Sequence, residues 1–257
     1  MLMTTSRAQS PLFSIITVCR NAQPLIGPTI DSLAAQDWGD YEYLVIDGAS
    51  TDGTREVVGE RAAGLRLRLV SESDNGIFDA MNKGARLATG KWLYFLNAGD
   101  DLFDTSVLRR VAAQLATAET IDVAYGDVVY RGEIGERLVR FDWLTRSNLM
   151  FEHLCHQAVF ARRAAFEKFG LFDTQYKIGA DFDWLLRVFR RGAGTRYLGF
   201  PIAFYDDCGL SARNKTKASS ERAQIRRRYL PMGLAKSLEF GYRVYRKALR
   251  VARLSDR

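Results

Sequence analysis

The 257-residue chain is predicted to fold as an α/β protein built on one mainly parallel central sheet flanked by helices. Three observations predict it. Short β-branched apolar runs alternate with stretches of helical spacing as far as residue 120, the order that βαβ units produce. Clusters of Gly, Ser, Thr and Asp sit between them, where strand-to-helix turns belong. The composition, 47% hydrophobic and 26% charged, is that of a globular chain with enough apolar residues for a sizeable core.

Residues 1–11 read as a loose arm. Phe13-Ser14-Ile15-Ile16-Thr17-Val18-Cys19 reads as a buried strand. Leu25, Ile30, Leu33 and Ala34 recur at helical spacing, which predicts a helix over 25–36, with Pro28 near its start. A second buried strand follows over 41–47. A helix over 51–63 comes next, capped by Ser50 or Thr51 and stopped by Gly64. Strands over 65–71 and 91–96 then alternate with helices over 78–88 and 106–116. The second half is less regular, with strands expected over 121–130, 155–161 and 195–204, and helices over 162–169 and 180–191. Residues 12–212 therefore read as one domain, with a regular half at 12–120 and a less regular half at 121–212.

Residues 213–257 read as a basic helical tail. They hold fourteen Lys and Arg against three acidic residues, which leaves the rest of the chain mildly acidic despite a net charge of +7. Over 236–254, Leu238, Tyr242, Tyr245, Leu249 and Ala252 recur at helical spacing among Arg and Lys. That is the pattern of an amphipathic helix lying on an anionic membrane. Its aromatics also suit stacking on nucleic-acid bases, but an apolar stripe backed by cations fits the lipid interface better. No apolar run approaches the roughly 18 residues of a membrane span. Cys19, Cys155 and Cys208 are far apart and odd in number, which argues against a disulfide framework and for a reducing, cytoplasmic compartment.

A parallel sheet of this kind binds ligands at the carboxyl ends of its strands, so chemistry is expected just after Cys19, Asp47, Ser71 and Asn97. Asp47 opens Asp47-Gly48-Ala49-Ser50-Thr51-Asp52-Gly53-Thr54, either a carboxylate for a nucleobase N–H or a capped connection to the next helix. Asp79 and Lys83 lie in a polar loop entering a helix, a place for phosphate and ribose, or equally a cap and a solvated cation. Asp100 and Asp101 are adjacent carboxylates at a strand end, suited to a hard divalent cation bridging a diphosphate, or to a capped loop. Asp181 and Asp183 open a downstream helix, as a general base for an acceptor hydroxyl or as dipole partners of a first turn. His153, Cys155 and His156 lack the spacing and the fourth ligand of a zinc site.

Together these phrases resemble the family 2 glycosyltransferases, with their Rossmann-like GT-A fold. The matching runs are Phe13 to Val18 and residues 47–54, 76–90, 95–100, 156–160, 170–173 and 180–183, in that order. Asp79-Ala80-Met81-Asn82-Lys83-Gly84 and Asn97-Ala98-Gly99-Asp100 look like bacterial enzymes of capsule, colanic-acid and lipopolysaccharide assembly. The resemblance implies inverting transfer of one sugar from a nucleotide sugar, with a lean to UDP, onto a glycan or lipid-linked acceptor. It implies Thr17, Asp47 and Asp79 around the nucleotide and Asp100 in the acidic motif for Mn2+ or Mg2+. Asp181 would be the catalytic base, with His156 and Gln157 near the diphosphate or acceptor. Two departures matter. Asn97-Ala98-Gly99-Asp100 stands where Asp-x-Asp-Asp is common, which brings in Asp101 as a further metal ligand. Met81 stands where many relatives carry Arg, which leaves Lys83 to meet the phosphate. The Gln-x-x-Arg-Trp motif of processive synthases is absent. No glycine run of a nucleotidyltransferase or dehydrogenase follows the first strand. A binding protein without catalysis is the non-enzymatic alternative, suggested by the thinned acidic motif.

Overall fold

The computed structural model describes residues 10–132, 135–152, 154–206, 213–230 and 241. The elements of the first half are β1 (Phe13–Cys19), α1 (Gln23–Ala34), β2 (Tyr41–Asp47), α2 (Thr54–Arg61), β3 (Leu67–Ser71), α3 (Ile77–Leu87), β4 (Trp92–Phe95), β5 (Asp101–Leu102) and α4 (Val107–Leu115). The second half adds β6 (Val123–Gly132), β7 (Gly135–Val139), a 3-10 turn (His156–Ala158), β8 (Val159–Arg162), α5 (Arg163–Phe169), α6 (Ala180–Arg190), β9 (Thr195–Asp206) and α7 (Lys215–Tyr229).

One sheet carries the molecule, in the order β3-β2-β1-β4-β8-β6-β9-β5, with β7 hanging on β6 as a hairpin. β3, β2, β1 and β4 run parallel, β8 is antiparallel to both β4 and β6, and β9 returns parallel to β6. The chain steps to opposite sides of β1 on going to β2 and to β4, so the crevice at the carboxyl ends of β1 and β4 is a topological switch point.

Period-two alternation splits the core across this sheet. Phe13 and Ile15 of β1 pack with Ile26, Ile30 and Leu33 of α1 and Val107, Leu108 and Val111 of α4. Ile16 and Val18 face the other way, onto Phe78 and Met81 of α3, Phe166 of α5 and Phe182 and Leu185 of α6. All seven residues of β1 are buried, which is why the strand reads as mostly apolar on both faces, with Ser14 and Thr17 its polar members. α3 approaches β1 closely at Gly84, where an added Cβ would stand 2.5 Å from Ile16 Cγ2.

Several boundaries differ from the sequence expectation. α1 begins earlier, with Pro24 supplying the fixed φ of a first turn. α2 begins later, at Thr54, because the Asp52 carboxylate accepts the Thr54 N–H and hydroxyl and holds the preceding residues in a turn. The strand expected over 155–161 is a correction: the Ala158 N–H donates to the Cys155 carbonyl at 3.1 Å, and extended backbone starts only at Val159. His156 and Gln157 therefore sit on a tight turn that aims both side chains out of the sheet. β5, β7 and α7 carry no clear apolar period, and the sequence does not announce them as separate elements. The helix expected over 236–254, residue 241 apart, the start of the N-terminal arm and His153 lie outside the described residues. Among the described residues no helix is long and apolar enough to cross a membrane.

Candidate active site

The loops after β1 and β2 are stitched together before any ligand is considered. The Asn21 N–H donates to Ser50 Oγ at 2.7 Å, and Asn21 Oδ1 accepts the Thr51 N–H at 2.9 Å. The Ala22 and Gln23 amides donate to Thr54 Oγ1 and Asp52 Oδ2. Asn21 and Ala49 hold φ values of 48° and 57°, the left-handed region that non-glycine residues enter at a cost and that clusters at ligand edges. Gly48 makes the turn possible, since a Cβ there would fall 2.3 Å from Asp74 Oδ2.

Beneath these loops lie residues that hold the floor. Asp47 is fully buried; its oxygens accept the Ser50 N–H at 3.0 Å, the Ser50 hydroxyl, and the Ser71 hydroxyl at 2.6 Å. Thr17 is also fully buried, donating to the Leu96 carbonyl at 2.6 Å and accepting from Tyr43 Oη at 3.0 Å. Asp79, in the first turn of α3, accepts the Asn75 N–H at 3.0 Å and ties the preceding loop to the helix. Lys83 reaches the Ser73 carbonyl at 2.7 Å and Glu72 at 2.9 Å. Asp101 lies on β5 opposite Phe204 and pairs with Arg131 at 3.0 Å.

A cleft of about 420 Å³ opens at the switch point. It is lined by Arg20, Asn21 and Leu25 after β1, by Ile77 and Phe78 opening α3, and by Asn97 to Asp100 after β4. Cys155, His156, Gln157, Lys177, Ile178, Asp181, Tyr205 and Arg213 close it from the second half. Of the residues singled out in the sequence, Asp100, His156, Gln157 and Asp181 are thus brought together. Thr17, Asp47, Asp79, Lys83 and Asp101 are not among its walls, for the packing reasons just given. Sequence reasoning missed Arg20, Lys177 and Arg213, the cations on the cleft wall, and Asn97. Isolated cations in loops carry no spacing signal; position after a strand end was the one clue for Arg20.

The polar groups form two linked pairs. The Asn97 side-chain N–H donates to His156 Nε2 at 2.8 Å, which leaves the ring proton on Nδ1, 3.5 Å from Asp181 Oδ2. Gln157 Nε2 donates to Asp100 Oδ2 at 3.0 Å. Asn97 Oδ1 and Gln157 Oε1 are buried and have no hydrogen-bond partner among the described residues. Together with the Asp100 carboxylate they are oxygen donors of the kind that Mg2+ and Mn2+ take alongside substrate phosphates. The thiols are inert by contrast. Burial, then the nearby Asp47, pushes Cys19 up to about 12. Burial, then Asp181, pushes Cys155 up to about 12.

Asp181 stands in the first turn of α6, where the helix N-terminus favours a carboxylate. Its Oδ1 accepts the Phe182 N–H at 2.8 Å, which fixes the side chain across the turn. The loop leading into α6 is gripped from α7. Glu221 accepts the N–H of Lys177 at 3.1 Å and those of Ile178 and Gly179 at 2.9 Å each.

Comparison with known proteins places this geometry. The glycosyl transferase family 2 model matches residues 14–193. A PGL/p-HBAD biosynthesis glycosyltransferase of Mycobacterium bovis is 38% identical over 207 residues, 78% of this chain and 78% of its own. In fold, the chain is similar to a fragment of S. aureus TarS crystallised with UDP-GlcNAc, with a TM-score of 0.66, 20% identity, and coverage of 76% of this chain and 58% of that one. It spans 36% of the longer TarS chain. It is also similar to the mannosyltransferase PcManGT from Pyrobaculum calidifontis in complex with GDP-Man and Mn2+, with a TM-score of 0.60, 24% identity, and coverage of 77% and 57%.

Proposed function

The chain belongs to glycosyl transferase family 2, and from that premise we propose that it transfers one sugar, with inversion, from a UDP-sugar to a glycan or lipid-linked acceptor of the cell surface. One observation carries the reading. Asp100 and Asp181, eighty-one positions apart in sequence, meet Arg20, Lys177 and Arg213 in a single cleft at the switch point. One groove thereby holds groups of both signs: cations for a diphosphate, carboxylates for a metal and for a hydroxyl proton.

In this reading Asp181 takes the proton of the acceptor hydroxyl. The acceptor oxygen bonds to the anomeric carbon as the bond from that carbon to the diphosphate breaks, and the nucleoside diphosphate leaves with its electron pair. Arg20, Lys177 and Arg213 grip the phosphates and stabilise the charge that grows on them. His156, its Nδ1–H toward Asp181 and its Nε2 held by Asn97, keeps the base aimed. Asp100, with the oxygens of Asn97 and Gln157, would hold Mn2+ or Mg2+. When bound, such an ion neutralises charge on the leaving diphosphate. Thr17, Asp47 and Asp79 act beneath and beside the nucleotide by fixing the loops. Support for the surface-glycan acceptor comes from the mycobacterial relative, a PGL/p-HBAD biosynthesis glycosyltransferase, and support for UDP from TarS, crystallised with UDP-GlcNAc. The basic tail would bring the enzyme to the anionic inner face of the membrane, and not to nucleic acid.

A panel of UDP-GlcNAc, UDP-Glc, UDP-Gal and GDP-Man, each with and without Mn2+, tests the reading. A cognate donor raises the melting temperature by mass action and releases its nucleoside diphosphate. Asp181→Asn keeps the thermal shift and loses transfer. Absence of a shift and of release with every donor would refute the proposal.

A further inference from the structure

We propose that Glu221 is a positioning residue for the cleft, acting from α7, beyond the residues that the family model matches. The inference rests on Asp181 being the base. Glu221 is a buried carboxylate on a helix that is otherwise polar and largely exposed. Both of its oxygens are spent on three successive amides, those of Lys177, Ile178 and Gly179. A carboxylate bound to three backbone N–H groups fixes their directions, because each charge-assisted bond is short and angular. Those three residues are the entrance to α6. Lys177 and Ile178 line the cleft on one side of the clamp, and Asp181 lies two residues past the other.

The rest of α7 is shaped to hold that clamp. Ile225, one turn on, is fully buried, and a Cβ on Gly179 would stand 3.1 Å from its Cδ1. Glycine at 179 is what lets α7 come this close. Farther along, Tyr229 donates to Asp183 at 3.1 Å and Arg228 reaches Asp173 at 3.1 Å. Asp181 and Asp183 therefore divide the first turn of α6: one carboxylate serves the cleft, and the other anchors α7. The Lys177 side chain has its own tether, donating to the Asn75 carbonyl at 3.1 Å, so the clamp bears on backbone direction more than on that cation.

Glu221→Ala, Glu221→Gln and Asp181→Asn, made in the full chain, test this. UDP affinity with Mn2+ is measured beside turnover of UDP-GlcNAc, UDP-Glc, UDP-Gal and GDP-Man, with amide exchange at residues 177–179 as a readout of the clamp. Glu221→Ala is expected to lose exchange protection and to lower kcat by about 10- to 100-fold, the scale of an ångström-sized misplacement, while UDP affinity stays near wild type. Glu221→Gln keeps one oxygen for Ile178 and Gly179 and recovers much of kcat. If the alanine variant melts below the assay temperature, the glutamine variant decides: faster exchange at the Lys177 amide with a partial loss of kcat at unchanged UDP affinity supports the clamp, and faster exchange there with wild-type kcat overturns it. Wild-type kcat in Glu221→Ala, or loss of kcat and UDP affinity in step with melting, overturns the inference. Wild-type turnover in Asp181→Asn instead sinks the reading of the base, a result separable from either.

Discussion

Asp47 and Asp100 show how similar carboxylates at strand ends acquire different work. Asp47 turns its oxygens inward, to Ser50 and Ser71, so the two loops above it keep their shape. Asp47→Ala leaves a buried amide and hydroxyl without partners, and urea unfolding should show a loss of about 1–3 kcal/mol for each. Asp100 faces the cleft, whereas Asp101, one position on, turns to Arg131 in a half-exposed pair. Asp101→Asn should therefore cost no more than about 1 kcal/mol and leave the Mn2+-dependent thermal shift intact. Asp100→Asn should abolish that shift. The thiols give a pH test. Folded Cys19 and Cys155 keep their protons to about 12, while unfolded thiols titrate near 9.0. The stability they lend is complete below pH 9.0 and is lost as pH rises toward 12. Native protein at pH 8–9 should accordingly resist iodoacetamide at both cysteines, as followed by mass spectrometry.

At the scale of elements, legibility follows burial. β1 and β2 are short, mostly apolar runs between turn residues, and their bounds match the sequence reading because every residue, or nearly every one, is inside. The turn at His156 reads as strand in the sequence because Cys155, Ala158, Val159 and Phe160 are apolar and a short apolar run has no period of its own. α7 is the clearer case. Its buried positions are Ala218, Glu221 and Ile225, so the spacing is helical but the middle member is charged and no apolar stripe results. Asp100 and Asp181 are legible because one follows a strand and the other opens a helix, but the same signal marks Asp47 and Asp79, which pack away from the cleft, and His156 and Gln157 enter through the family resemblance alone. The cleft is not legible where the working group is a lone cation such as Lys177 or Arg213, whose placement depends on contacts made far along the chain. Ile225→Ala, emptying a fully buried site under α7, should lower stability by about 2–5 kcal/mol in denaturant titration. Gly84→Val should be worse tolerated than any exposed substitution in α3, since β1 cannot retreat from Ile16.

The whole molecule couples a mildly acidic body to a strongly basic end. A chain stopped after residue 230 keeps α7 and its clamp, and should keep the wild-type melting temperature and UDP affinity. It should lose sedimentation with phosphatidylglycerol vesicles at low salt, an attraction that weakens as ionic strength rises. A chain stopped at residue 212 also loses Glu221 and Arg213, and should be deficient in turnover in free solution as well. The sheet order carries a consequence for synthesis. β5 is laid down early but finds its partner strand in β9, where Asp101 stands opposite Phe204 and Leu102 opposite Ala203. A ribosome that has made half the chain displays Arg20 and Asp100, yet Lys177, Asp181 and Glu221 have still to be translated. Nascent fragments of that length thus hold one wall of the cleft without the other, and the groove can close only once the second half of the chain has been made.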